Sequence, residues 1–217
     1  MKLSNTVVFY CITLLTFWLD IANADTTPSF DCHKATTQTE HTLCDNPDLA
    51  RLDQQLTGLW RETLGSFSEE RQVTEIRADQ KQWLVTRNSC GSDKECIRMK
   101  YIERFKKLSG EDVTAPAAGL YDADKVGRFA LYPLDTEYLV SIETAEPKAG
   151  AWTCEISGRA KLNSNVLFVT VGKFNFTARL SYVNTLVIDS GKDLIPITEG
   201  SCGLNGSVSF TYLRSKS

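Results

Sequence analysis

The sequence is poor in the residues and motifs that most often carry chemistry. Only two of its 217 residues are histidine, His33 and His41, and only two are methionine. It has no Cys-x-x-Cys pair, no His-Glu-x-x-His helix, no Gly-x-Ser-x-Gly elbow and no glycine loop that would cradle phosphate. These absences remove the usual markers of a zinc or redox centre, a hydrolase triad and a nucleotide site, so no cofactor, metal site or catalytic residue is expected. A formal charge of −3 with no clustered basic run argues against nucleic acid. The longest apolar run, residues 7–18, falls short of the roughly 20 residues needed to span a bilayer, and Asp20 interrupts its far end.

That run fits a secretory leader instead. Lys2 supplies a positive start, and Ala22-Asn23-Ala24 is a small-x-small cleavage signal. Residues 1–24 are therefore expected to be removed, leaving a soluble chain that begins at Asp25. Cys11 goes with the leader, because Val8-Phe9-Tyr10 before it lacks the small residues of a lipoprotein site. Six cysteines then remain: Cys32, Cys44, Cys90, Cys96, Cys154 and Cys202. An even number in an exported chain reads as a disulfide framework.

Two unlike segments follow. An apolar content of 42% is enough for an ordinary core. Up to residue 108 the apolar period is helical; from residue 119 it alternates, with Gly, Asn and Asp turns. The small, polar stretch 109–118 between them reads as a linker. The expected fold is α+β: a disulfide-stapled helical domain over 25–108 and an antiparallel β-sandwich or small barrel over 119–217.

In the first half, Asn46-Pro47-Asp48 signals a helix start, followed by Leu49, Leu52, Leu56, Leu59, Trp60 and Leu64 at helical spacing. Ser66 with Glu69 and Ser92 with Glu95 suggest capping boxes for two further helices. Val73, Ile76, Gln80, Trp83, Leu84 and Arg87 share a face of the second, and Ile97, Tyr101, Phe105 and Leu108 line the third. A short helix can precede them between residues 34 and 43. Short connections make neighbouring helices antiparallel, which gathers Cys44, Cys90 and Cys96 at one pole with Cys32 on the segment leading in. The preferred pairing is Cys44–Cys90 with Cys32–Cys96, although three connectivities remain open. Arg87 lies on the apolar face one turn beyond Trp83 and needs a carboxylate, for which Asp53 and Glu40 are the candidates.

These residues form a recognisable pattern. Asp31-Cys32-x-Lys34-Ala35, Glu40, Leu43-Cys44-Asp45, Leu49-x-x-Leu52-Asp53-x-x-Leu56, Gln80-x-x-Trp83-Leu84-x-x-Arg87-Asn88-x-Cys90, Cys96-Ile97 and Tyr101-x-x-Arg104 occur in order. Together they resemble the N-terminal domain of the lysozyme inhibitor LprI, over residues 30–108. The resemblance implies an exported helical domain of bacterial envelopes, periplasmic or secreted, with lysozyme inhibition as the named activity.

In the second half about eight short strands are expected, the clearest at 129–132, 138–142, 152–156, 166–171, 174–179 and 208–213. Gly172-Lys173 fits a two-residue type II′ hairpin, and residues 134–137 another turn. Cys154 and Cys202 are expected to pair. The architecture resembles small exported β-barrel lysozyme inhibitors, but only Gly206-Ser207-Val208-Ser209-Phe210 distantly echoes their inhibitory loops. The functional expectation is a non-enzymatic envelope protein that binds a protein partner, with a lysozyme as the partner the resemblance implies. Asp45 and Asp48 beside Cys44 are the candidate docking residues. The alternative is an adaptor or small-ligand carrier with its pocket in the β half.

Overall fold

The computed structural model describes residues 26–181, 184–189 and 191–215; the expected leader, with Cys11, lies outside the described residues. A single 3-10 turn at Cys32–Lys34 precedes helix α1 (Gln38–Cys44), α2 (Pro47–Gly65), α3 (Glu70–Asn88) and α4 (Lys94–Ser109). Eight strands follow: β1 (Gly119–Ala123), β2 (Gly127–Pro133), β3 (Tyr138–Ala145), β4 (Thr153–Asn163), β5 (Val166–Val171), β6 (Phe174–Ser181), β7 (Thr185–Ile188) and β8 (Thr211–Arg214). They pair antiparallel in chain order and close β8 onto β1, so of the two expected architectures the barrel is found. A short helix, α5 (Ile195–Ser201), interrupts the β7–β8 connection.

The helix starts differ from the expected capping pattern. The capping box is at Thr37 and Glu40, opening α1. Glu69 and Asp93, rather than Ser66 and Ser92, stand at the starts of α3 and α4; the Asp93 carboxylate accepts from the Glu95 and Cys96 amides. The Ser66 hydroxyl instead donates to the Glu62 carbonyl in the preceding helix. Asp wins at the head of α4 because its carboxylate reaches two free first-turn amides and complements the helix dipole.

The sulfurs do gather at one pole, but their partners are local. Cys32 pairs with Cys44 and Cys90 with Cys96, in place of the expected Cys44–Cys90 and Cys32–Cys96. The physical reason is proximity. The α3–α4 hairpin brings its two cysteines to a Cα separation of 5.6 Å, and the turn before α1 brings its pair to 5.9 Å, both ordinary disulfide spans. The Thr39 hydroxyl, donating to the Asn88 and Gly91 carbonyls, joins α1 to that hairpin without sulfur. Loop-closure entropy assigns about 3 and 2 kcal/mol to these short loops, against about 4 kcal/mol for Cys154–Cys202, which forms as expected.

Two apolar cores meet at the barrel wall. Inside it, Tyr121, Phe129, Leu131, Val140, Ile142, Leu167, Val169, Phe176 and Tyr212 pack together, with Leu194 and Ile197 near α5 joining at one end. Outside it, Leu120, Ala130, Tyr132 and Leu139 of β1–β3 pack against Leu56, Phe67, Ile76, Tyr101 and Leu108 of the helices. This is why residues 129–133 are buried without alternation, whereas β5 alternates as a one-faced strand should. The stretch expected as a linker is also packed. Ala115, Ala117 and Ala118 are buried in the barrel core, and Arg214 fastens the strap by donating to the carbonyls of Ser109, Pro116 and Ala118.

Gly172 has φ +57° and Lys173 does not share the left-handed region, as a type II′ hairpin requires. Gly158 in β4 is needed for a different reason: a Cβ there would sit 2.4 Å from the Thr170 carbonyl of β5. Gln72 of α3 reaches the sheet at this point, donating to the Val140 and Gly158 carbonyls at 3.1 and 2.8 Å.

Candidate functional site

Asp53, Arg87 and Tyr101 of the helical pattern turn inward. The Tyr101 hydroxyl donates to Asp53 Oδ1 at 2.6 Å and accepts from Arg87 Nη1 at 2.9 Å; the Arg87–Asp53 pair closes at 3.5 Å, with side chains only 4% and 6% exposed. Glu40, the other candidate partner of Arg87, is occupied elsewhere. Its carboxylate accepts from the Thr36 and Thr37 amides. Partial burial pushes that carboxyl up, but these hydrogen bonds outweigh it and hold the pKa below the usual value.

A second, parallel arrangement binds the helices to the barrel. Arg104 Nη2 donates to Asp79, Gln80 and the Tyr132 hydroxyl, and that hydroxyl donates to Asp79 at 2.7 Å. Both guanidinium carbons lie within 6 Å of the Trp83 ring centroid, at 5.7 Å for Arg87 and 5.9 Å for Arg104. Trp83 thus sits between two buried Tyr–Asp–Arg groups. Burial pushes the Tyr101 and Tyr132 phenols far up, so both stay protonated donors. Asp53, Arg87, Tyr101 and Arg104 of the pattern are buried, so they organise the fold and present little to a partner.

The exposed polar chemistry lies where the barrel meets the start of α3. Glu143 of β3 and Glu155 of β4 are register partners, and Arg128 of β2 is the partner of Glu143 on its other side. Arg128 binds Asp122 at 2.7 Å and approaches Glu62 of α2 at 3.5 Å, and the Ser68 hydroxyl donates to Glu155. Three carboxylates, Asp122, Glu62 and Glu143, therefore surround one guanidinium, and Glu155 stands across the ladder from Glu143. Burial, then the Glu155 charge, raises the Glu143 pKa above the usual carboxylate value. A cleft of about 410 Å³ lies along this edge, lined by Val126, Gly127, Glu143, Thr153, Cys154 and Glu155 among others.

Two loops held by backbone hydrogen bonds and a disulfide lie beside the cleft, at the barrel end nearest α5. In the β3–β4 loop, residues 146–152, the Glu146 amide donates to the Trp152 carbonyl, and the Glu146 carboxylate accepts from the Ala149 and Lys148 amides, which hold its pKa down. The second loop follows Cys202, whose disulfide ties it to Cys154. The Gly206 amide donates to the Gly203 carbonyl, and Asn205 has φ +66°, forming a tight turn with Leu204 88% exposed at its tip. Gly206 is obligatory there: a Cβ would lie 2.6 Å from Cys202 Cβ and 2.9 Å from Cys154 Sγ. In the adjoining stretch, Val208 is buried in the barrel core and Phe210 packs against it, so the distant echo of an inhibitory loop is largely a packing segment.

Asp45 and Asp48 are exposed at the cysteine pole. Asp45 caps the end of α1, and Asp48 stands in the first turn of α2, 3.6 Å from Arg51. The neighbouring acids Asp31 and Glu95 likewise face Lys34 and Arg98, so three of the acids at this pole have a cation beside them.

No protein-family model, curated protein or solved structure matches the chain. The LprI resemblance stands on the spaced residues alone. Among the described residues no cluster of histidine, cysteine and carboxylate side chains is arranged to hold a metal ion. The Glu143–Glu155 juxtaposition was not legible in the sequence, because it depends on the β3–β4 register.

Proposed function

We propose that this chain is an exported protein-binding module that docks a basic partner, with a lysozyme as the partner its helical pattern points to. The observation that carries the reading is the acidic edge of Glu62, Asp122, Glu143 and Glu155 beside two backbone-locked loops. Complementary charge steers a basic protein, and rigid loops lower the ordering cost of binding. Three disulfides support an oxidising compartment, in keeping with the periplasm or the exterior of a bacterial cell. The carrier alternative asks for a hollow barrel. It finds no support in an interior packed with Tyr121, Phe129, Phe176 and Tyr212.

The test is a turbidity assay with purified oxidised protein, cells and lysozymes of the animal, goose and invertebrate types. Lysis should slow for at least one, and the effect should weaken as salt rises from about 50 to about 300 mM. Glu143→Lys with Glu155→Lys should abolish it in a protein that still folds, and Glu143→Gln with Glu155→Gln should weaken it. Undiminished lysis at excess protein against all three types sinks the inhibitor reading.

A further inference from the structure

The opposite end of the barrel, where the strap enters, carries a second open cleft of about 480 Å³, within the usual range of ligand sites (about 300–1,000 Å³). Pro116 of the strap, Leu162 of β4 and Leu180 of β6 line it, and both leucines are only partly buried against the barrel core. Its polar lining includes Asn165 and Asn184 from the β4–β5 and β6–β7 turns. Both are exposed, and among the described residues neither side-chain amide has a protein partner.

Among the described residues, the only charged one in the lining is Arg214. Its Nη groups are already engaged with the Ser109, Pro116 and Ala118 carbonyls and the Tyr121 hydroxyl. Its remaining Nε is buried, so no guanidinium donor faces the cleft for a carboxylate or phosphate to take. Depth is limited as well. Ala115, Ala117, Ala118 and Tyr121 are buried beneath the mouth, which shuts out a long apolar tail. What remains is a shallow site with an apolar strip and the Asn165 and Asn184 side-chain amides at its rim.

We propose that this mouth binds an uncharged saccharide. A sugar ring offers one apolar C–H face for Pro116, Leu162 and Leu180, and hydroxyl or acetamido groups for the two amides, each of which both donates and accepts. The mouth shares no lining residue with the Glu143–Glu155 cleft, so the proposal does not rest on lysozyme binding.

The experiment is a 1H–15N NMR titration of the oxidised full chain with triacetylchitotriose and, separately, maltotriose, with no lysozyme present. Millimolar binding of either sugar, with shifts at the Asn165 and Asn184 side-chain amides, is the expected result. The double variant Asn165→Ala, Asn184→Gly keeps the left-handed turn at position 184, where φ is +58°. It should melt as wild type and bind about tenfold more weakly, the equivalent of one to two lost neutral hydrogen bonds. No shift with either sugar at millimolar concentration, shifts confined to other surfaces, or undiminished binding by the double variant would each overturn the assignment.

Discussion

Replacing Asp53 by alanine is the sharpest test of how the helical half is held. The carboxylate accepts from the Tyr101 hydroxyl and the Ser29 amide, both at 2.6 Å, and faces Arg87 at 3.5 Å. Its removal leaves the Arg87 guanidinium buried, with only the neutral Asn88 and Tyr101 oxygens as hydrogen-bond partners. An uncompensated buried charge of this kind costs about 3–5 kcal/mol. At about 2–4 °C per kcal/mol for a chain of this size, the melting temperature should fall by about 6–20 °C. Urea unfolding followed by tryptophan fluorescence is a suitable assay, because Trp83 lies edge-on to Tyr101 at 5.3 Å and reports the loss locally. The double variant Asp53→Leu, Arg87→Met should recover most of the stability, since replacing both ions removes the stranded charge. If Asp53→Ala lies within about 1 kcal/mol of wild type, the pair is not the organising contact claimed for it.

Further outcomes follow from single contacts. Proteolysis and mass mapping of the unreduced protein should yield peptides joined Cys32–Cys44 and Cys90–Cys96; a Cys44–Cys90 peptide would refute the local pairing. Gly58→Ala should stabilise α2 by about 0.5–1 kcal/mol, because the position is mid-helix and nothing lies within 4 Å of the added methyl; a loss in urea unfolding contradicts this. Glu143→Gln should be more stable than wild type at neutral pH. The raised folded pKa favours the protonated form, so the wild-type penalty is present above that pKa and vanishes as pH falls below the unfolded value. A stability gap that widens in acid would reverse the sign and remove the Glu143–Glu155 repulsion from the account.

The Glu143 arrangement is costly to the fold, since like charges directly across a ladder destabilise it. Such local conflict is expected where a surface serves binding more than stability. The paired charges around Asp45 and Asp48 have the opposite character: each helps to end or begin a helix, and the nearby acids have their own cations.

What the sequence determined by itself is the local chemistry. Asn46-Pro47 and the leucines at helical spacing mark α2 because the fixed φ of proline and a 3.6-residue period act within a few residues. Gly172-Lys173 marks its hairpin for the same reason, and alternation in β5 is visible because one face meets water. Only the tertiary structure decided the rest. Arg87 chose Asp53 over Glu40 because Glu40 closes its own capping box, and the cysteines paired by the turns that α1 and the α3–α4 hairpin make. β2 lost its alternation because helices cover its outer face, and the stretch 109–118 became a strap because the barrel mouth buries its alanines. Glu143 met Glu155 through strand register alone, a contact that depends on how distant segments align and leaves no mark on either one.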